Sequence, residues 1–131
     1  MPVSILHKTV LVIAGLTALA IGGSLLASPM AFYAGYGIAL PSDVSLTNEL
    51  RASGGSIVML GLLILGGLAL PRFATASTLL AAAMFLAYGA ARLTSIGLDG
   101  QPSAGLVTAM AAELFIGAAS LFALIAARKL A

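Results

Sequence analysis

The chain has 131 residues, of which 61% are hydrophobic and 8% charged, with a formal net charge of +2. Soluble domains carry about 25% charged residues, and so short a chain has no interior large enough to hide this much apolar surface. Lipid is the expected solvent for a single all-α domain over residues 1–131, and the few scattered cations form no polybasic run that would recruit nucleic acid.

The chain contains no cysteine. Disulfides, thiolate metal sites and cysteine nucleophiles are therefore excluded. A single histidine, His7, gives no basis for a metal centre, and it is expected as a boundary residue. No cofactor is implied.

A spanning helix needs roughly 20 mostly apolar residues. Four runs supply them, at about 9–27, 49–70, 74–97 and 104–127. The first run exceeds the apolar core of a secretory leader. The stretch LLASPMA also puts Leu25 or Pro29 where cleavage needs a small residue, so the run is expected to be retained. The loop 28–48 follows. Ser28-Pro29 is a helix start, with serine as cap and proline at the first position. A short helix at the membrane interface is expected from residue 29 to about 37. Its Phe32, Tyr33 and Tyr36 would anchor it at the boundary. A lid that grips a ligand is the sharper alternative for these aromatic residues.

The second run opens with NELRASGG, residues 48–55. Thr47 or Asn48 is expected to cap it, with Glu49 favouring the positive end of the helix dipole. Residues 71–73 and 98–103 read as tight turns, so the later spans are expected to pack as an antiparallel four-helix bundle. Lys8, Arg72, Arg128 and Lys129 fall at one end of this arrangement, and the opposite loops 28–48 and 98–103 contain no Lys or Arg. The positive-inside rule therefore puts both termini in the cytoplasm of a multi-pass inner-membrane protein.

Six charges fall in the outer half: Asp43, Glu49, Arg51, Arg92, Asp99 and Glu113. At about 1.5 Å per helical residue, Glu113 lies about 15 Å deep, too far for its short side chain to reach water. Gly105, Ala109, Glu113 and Gly117 recur every fourth residue, which turns Glu113 toward a neighbouring helix. A similar small-residue stripe, Ala83, Ala87, Ala91 and Ser95, is expected to face the bundle from the third span. An Arg92–Glu113 ion pair assisted by Tyr88 follows. Glu49 and Arg51 lie about 200° apart around a helix, so they cannot both face inward. The expected polar cluster is Asn48, Arg51, Tyr88, Arg92, Ser95 and Glu113, with Gly54 and Gly55 bringing the helices close. Its excess positive charge calls for Glu49, Asp99 or an anionic ligand.

The motifs NELRASGG (48–55) and ARLTSIGLDGQP (91–102), with Glu113 in the last span, carry a resemblance. The chain resembles a bacterial family of small four-span membrane proteins catalogued as a domain of unknown function. That resemblance implies a four-helix inner-membrane protein and no assigned reaction.

Three functional readings remain. The first is a non-enzymatic accessory or interaction subunit, or a lipid-associated scaffold, organised by the polar cluster. Its partners would be membrane lipids and either another membrane protein or further copies of this chain. The second is a binding or transport protein for a small anionic or lipid-like ligand at an outward-facing Arg/Glu pocket. The third is an intramembrane enzyme with Glu113 as proton donor. No catalytic residues are assigned. The glycine pairs lack the strand and lysine of a phosphate loop, and no ionisable residue lies within a span in the cytoplasmic half to complete a proton path.

Overall fold

The computed structural model describes residues 4–128. Helices α1 (Ile5–Ala27), α2 (Pro29–Ala34), α3 (Val44–Ala69), α4 (Ala74–Asp99) and α5 (Ala104–Arg128) follow in chain order, with a 3-10 turn at Pro71–Phe73 between α3 and α4. Four of these helices are long and apolar enough to cross a membrane. Lys129, counted among the cytoplasmic cations, lies outside the described residues, as does the C-terminal end of the domain.

Local chemistry sets the helix ends. The Ser4 hydroxyl accepts the His7 amide N–H to start α1. His7 is buried beneath it, with Nδ1 3.0 Å from the Ser4 oxygen. It therefore sits inside one end of the bundle and not on a boundary surface. Ser28 closes α1 through its backbone N–H and caps α2 through its hydroxyl, so a single residue turns the chain. The short helix forms as expected but stops at Ala34.

The start of α3 differs from the sequence reading. The helix begins at Val44, about five residues before the expected boundary, because Asp43 Oδ1 accepts the Leu46 N–H at 2.7 Å. Asp43 is the cap, and neither Thr47 nor Asn48 serves. Glu49 consequently lies past the first turn and gains little from the helix dipole, which acts within that turn. The five additional residues lengthen the helix by about 7.5 Å.

Helix α1 packs along α3, and α4 along α5; α3 also meets α4, and α1 touches both α4 and α5. Lipid supplies little hydrophobic drive between helices, so close backbone approach and dispersion must hold them. Glycines permit that approach. A Cβ on Gly54 would lie 2.8 Å from Leu25 Cβ and 2.9 Å from the Gly22 carbonyl oxygen. Between α4 and α5, Gly89 receives Leu114 and Gly117 receives Leu86. The core runs through Leu11, Ala18, Ile57, Ile64, Phe85 and Ile116. Ser77 Oγ donates to the Leu63 carbonyl at 2.8 Å and ties α4 to α3 near the turn.

The outward faces carry Leu16, Leu62, Leu79, Phe115 and Phe122, as a lipid-facing surface should. Ala83, Ala87, Ala91 and Ser95 are exposed too. The expected inward stripe on this helix thus points away from the bundle. The buried face of α4 instead carries Ala74, Ala81, Ala82, Phe85 and Gly89. Spacings of four appear on both faces of an alanine-rich helix, so small size alone does not select the inner one.

The glycine contacts make a paired prediction. Gly54→Ala meets backbone and Leu25, and should lower bundle stability by about 1–3 kcal/mol. Gly66→Ala has nothing within 4 Å of the new Cβ. It should be neutral or stabilising by up to about 1 kcal/mol through helix propensity. Thermal unfolding in detergent distinguishes the two; equal losses would contradict the packing described.

Candidate functional site

The polar centre is built by α4 and α5. Arg92 Nε donates to Glu113 Oε2 at 2.8 Å, and Arg92 Nη2 donates to Glu113 Oε1 at 3.1 Å. The pair is bidentate, the geometry in which arginine grips a carboxylate most firmly. Its halves are unequally buried, with the arginine side chain 33% exposed and the glutamate 8%. Glu113 lies about 14 Å along α5 from Ala104, too deep to reach water unaided. Arg92 has a stem long enough to reach both the carboxylate and the bundle edge.

A cavity of about 400 Å³ opens beside the pair. From α1 it takes Thr17, Ile21 and Leu25, and from α3 it takes Ser53 and Ile57. Met84, Phe85 and Tyr88 of α4 line it, and Leu106, Ala109, Ala112 and Ile116 of α5 complete the apolar wall. Phe32, Tyr33 and Tyr36 cover it from α2 and the residues just beyond. Their rings meet edge to face, Phe32 to Tyr33 at 5.3 Å and Phe32 to Tyr36 at 5.4 Å between centroids. Tyr36 also lies against Gly105 at the start of α5. The aromatic cover therefore reaches from the end of α1 to α5. Among the described residues, α3 and α5 make no close backbone contact; they lie diagonally across the bundle, with α1 and α4 in contact between them.

The expected six-residue cluster divides into three places. Arg92, Glu113 and Tyr88 share the cavity. Tyr88 is 40% exposed and makes no hydrogen bond to the pair among the described residues, so it borders the site without assisting the ion pair. Asn48 and Arg51 line a separate recess of about 280 Å³ with Ser42, Asp43 and Thr47. Arg51 is exposed, and its Nη2 makes a long 3.5 Å contact with the Ala27 carbonyl at the end of α1. That helix end carries partial negative charge, which offsets a cation without a carboxylate. Ser95 turns the other way, donating to Asp99 Oδ2 at 3.1 Å on an exposed surface. Neither Asp99 nor Glu49 approaches the ion pair. The glycines next to Arg51 explain this division: Gly54 packs on α1, and Gly55 has only a distant contact, with Leu26.

Sequence reasoning missed most of the cavity wall. Ile21, Ile57, Met84, Leu106 and Ile116 look like any lipid-facing apolar residue. Ala109 did carry a signal, through its place in the small-residue stripe with Glu113. The three residues taken as interface anchors, Phe32, Tyr33 and Tyr36, all border the cavity.

Unequal burial predicts unequal mutations. Arg92→Ala strands a carboxylate that cannot reach water, and should cost about 3–5 kcal/mol. Glu113→Ala leaves an arginine already one-third exposed, and should cost less. Glu113→Gln retains an acceptor and should cost about 1–2 kcal/mol. Thermal unfolding of the three variants in one detergent measures the order; a larger loss for Glu113→Ala than for Arg92→Ala would contradict it.

No curated protein and no solved structure gives a match to the chain. A family model does, over residues 6–124, which takes in the four long helices except the first residue of α1 and the last turn of α5, and all the residues that line the cavity. The chain thus belongs to the family described as Domain of unknown function (DUF4345).

Proposed function

We propose that this chain is a multi-pass protein of the bacterial inner membrane that binds a small lipid-like molecule in the cavity beside Arg92 and Glu113, without performing chemistry on it. The observation that carries this reading is a cavity of about 400 Å³ with an apolar wall, one buried bidentate ion pair and three tyrosines. Ligand sites combine these features: a mostly apolar enclosure of about 300–1,000 Å³ with a few placed polar groups. A purely structural ion pair has no use for the adjoining space. The one acid in the wall is already bonded to arginine through both oxygens, which leaves it poorly disposed to give or take a proton.

Two exposed wall residues support entry from the side. Ser53 and Ala112 both line the cavity and are exposed, so its edge opens toward lipid. The distribution of Lys and Arg supports an antiparallel bundle with both termini cytoplasmic, the cavity in the outer half and α2 at the outer interface. Single-cysteine reporters read this orientation cleanly in a chain without native cysteine. Ser42→Cys should react with an impermeant maleimide on spheroplasts and Phe73→Cys should not; the reverse pattern would contradict the orientation.

A second reading, an accessory subunit or homo-oligomer, is favoured by the exposed stripe Ala83, Ala87 and Ala91, which would admit another helix closely. Native mass spectrometry from lipid tests both. The binding reading expects a retained lipid-sized adduct on wild type, and its loss in Ala112→Phe with helicity unchanged. A bare wild-type chain, or an adduct unaffected by Ala112→Phe, would count against it. A dimer or a co-purified partner lost on Ala87→Leu would support the second reading.

A further inference from the structure

We propose that the head group held in this cavity is electroneutral, a carbonyl- or hydroxyl-bearing amphiphile and not an anion. The inference rests on the binding reading above. Among the described residues, Arg92 and Glu113 are the only Lys, Arg, Asp or Glu side chains that line the cavity, so its formal charge at pH 7 is +1 − 1 = 0. Arg51, whose charge would have biased the site toward anions, lines the other recess. The ion pair uses Nε and Nη2, leaving Arg92 Nη1 without a protein partner among the described residues.

Charge counting then selects the head group. An anion on Nη1 would set two negative charges against one positive in a largely apolar enclosure. Uncompensated charge is strongly disfavoured in such surroundings. A neutral carbonyl oxygen accepts from Nη1 and leaves the balance intact. The hydroxyls of Tyr33, Tyr36 and Tyr88 can each donate or accept, which suits an ester, ketone or alcohol head. Size agrees with this class. A cavity of about 400 Å³ holds the volume of about thirteen waters at about 30 Å³ each, enough for a compact head and the start of a chain. The rest of the chain leaves at the cavity edge marked by Ser53 and Ala112, both exposed.

The protein carries its own reporter. It has three tyrosines and no tryptophan, and all three tyrosines line the cavity. Tyrosine emission of the purified full chain in detergent is titrated with two probes of equal chain length, a chain-brominated monoacylglycerol and a chain-brominated alkyl sulfate. The neutral probe should quench saturably at a concentration about tenfold or more below the sulfate, the loss expected for an uncompensated charge. Glu113→Gln leaves Arg92 as a net cation, and should move the preference toward the sulfate by about tenfold. A wild-type preference for the sulfate, or equal quenching by both, would overturn the neutral-head inference while leaving the site standing. Saturable quenching by neither probe, or quenching unchanged in Ala112→Phe, would overturn the binding reading itself. Should Glu113→Gln fail to fold, the wild-type comparison decides alone.

Discussion

Lipid withdraws the hydrophobic drive that assembles soluble helices, so this bundle depends on close backbone approach and on one ion pair. The two act in different places. Glycines at Gly22 and Gly54 set α1 against α3, while Gly89 and Gly117 set α4 against α5. The Arg92–Glu113 pair then fixes the register of α4 on α5 at the depth where a stray carboxylate would be least tolerated. Each helix pair is close-packed within itself. Between the pairs the packing is looser, and the cavity lies there.

The ion pair and the cavity explain one another. Close packing of α4 on α5 runs through Gly89 and Gly117, and the small residues Ala109 and Ala112 of α5 border the cavity. The space beside them becomes the cavity wall. Glu113 remains at its edge, held by an arginine that still has one nitrogen to offer. The short α2 helix closes the end of this space with aromatic rings rather than charges. The polar features of the cavity therefore serve direction and hydrogen bonding, and its charge is internally cancelled.

Much of the fold was legible because lipid imposes simple demands. Length and apolarity identified four spans, and depth alone obliged Glu113 to find a partner. Arg92 was readable as that partner because both residues sit toward the same end of successive helices joined by a short turn. The errors have physical causes. Asp43 was overlooked as a cap because the polar turns that follow it do not resemble a span, although Pro41-Ser42-Asp43 is a good helix-start signal. Arg51 was drawn inward by proximity in the sequence to Gly54, yet that glycine serves α1, and the end of α1 supplies the negative partner. The cavity itself left almost no trace. Apolar residues that line a void and apolar residues that face acyl chains obey the same composition rule, and only tertiary geometry separates them.

The most direct measurement is an experimental density map of the protein in a lipid bilayer, resolved well enough to follow the side chains around the cavity. Elongated non-protein density should enter past Ser53 and Ala112 and end within hydrogen-bonding distance of Arg92 Nη1, with the bidentate contact to Glu113 intact. A cavity without such density, or Arg51 swung in to join Arg92 and Glu113, would contradict a neutral-headed site built on this ion pair.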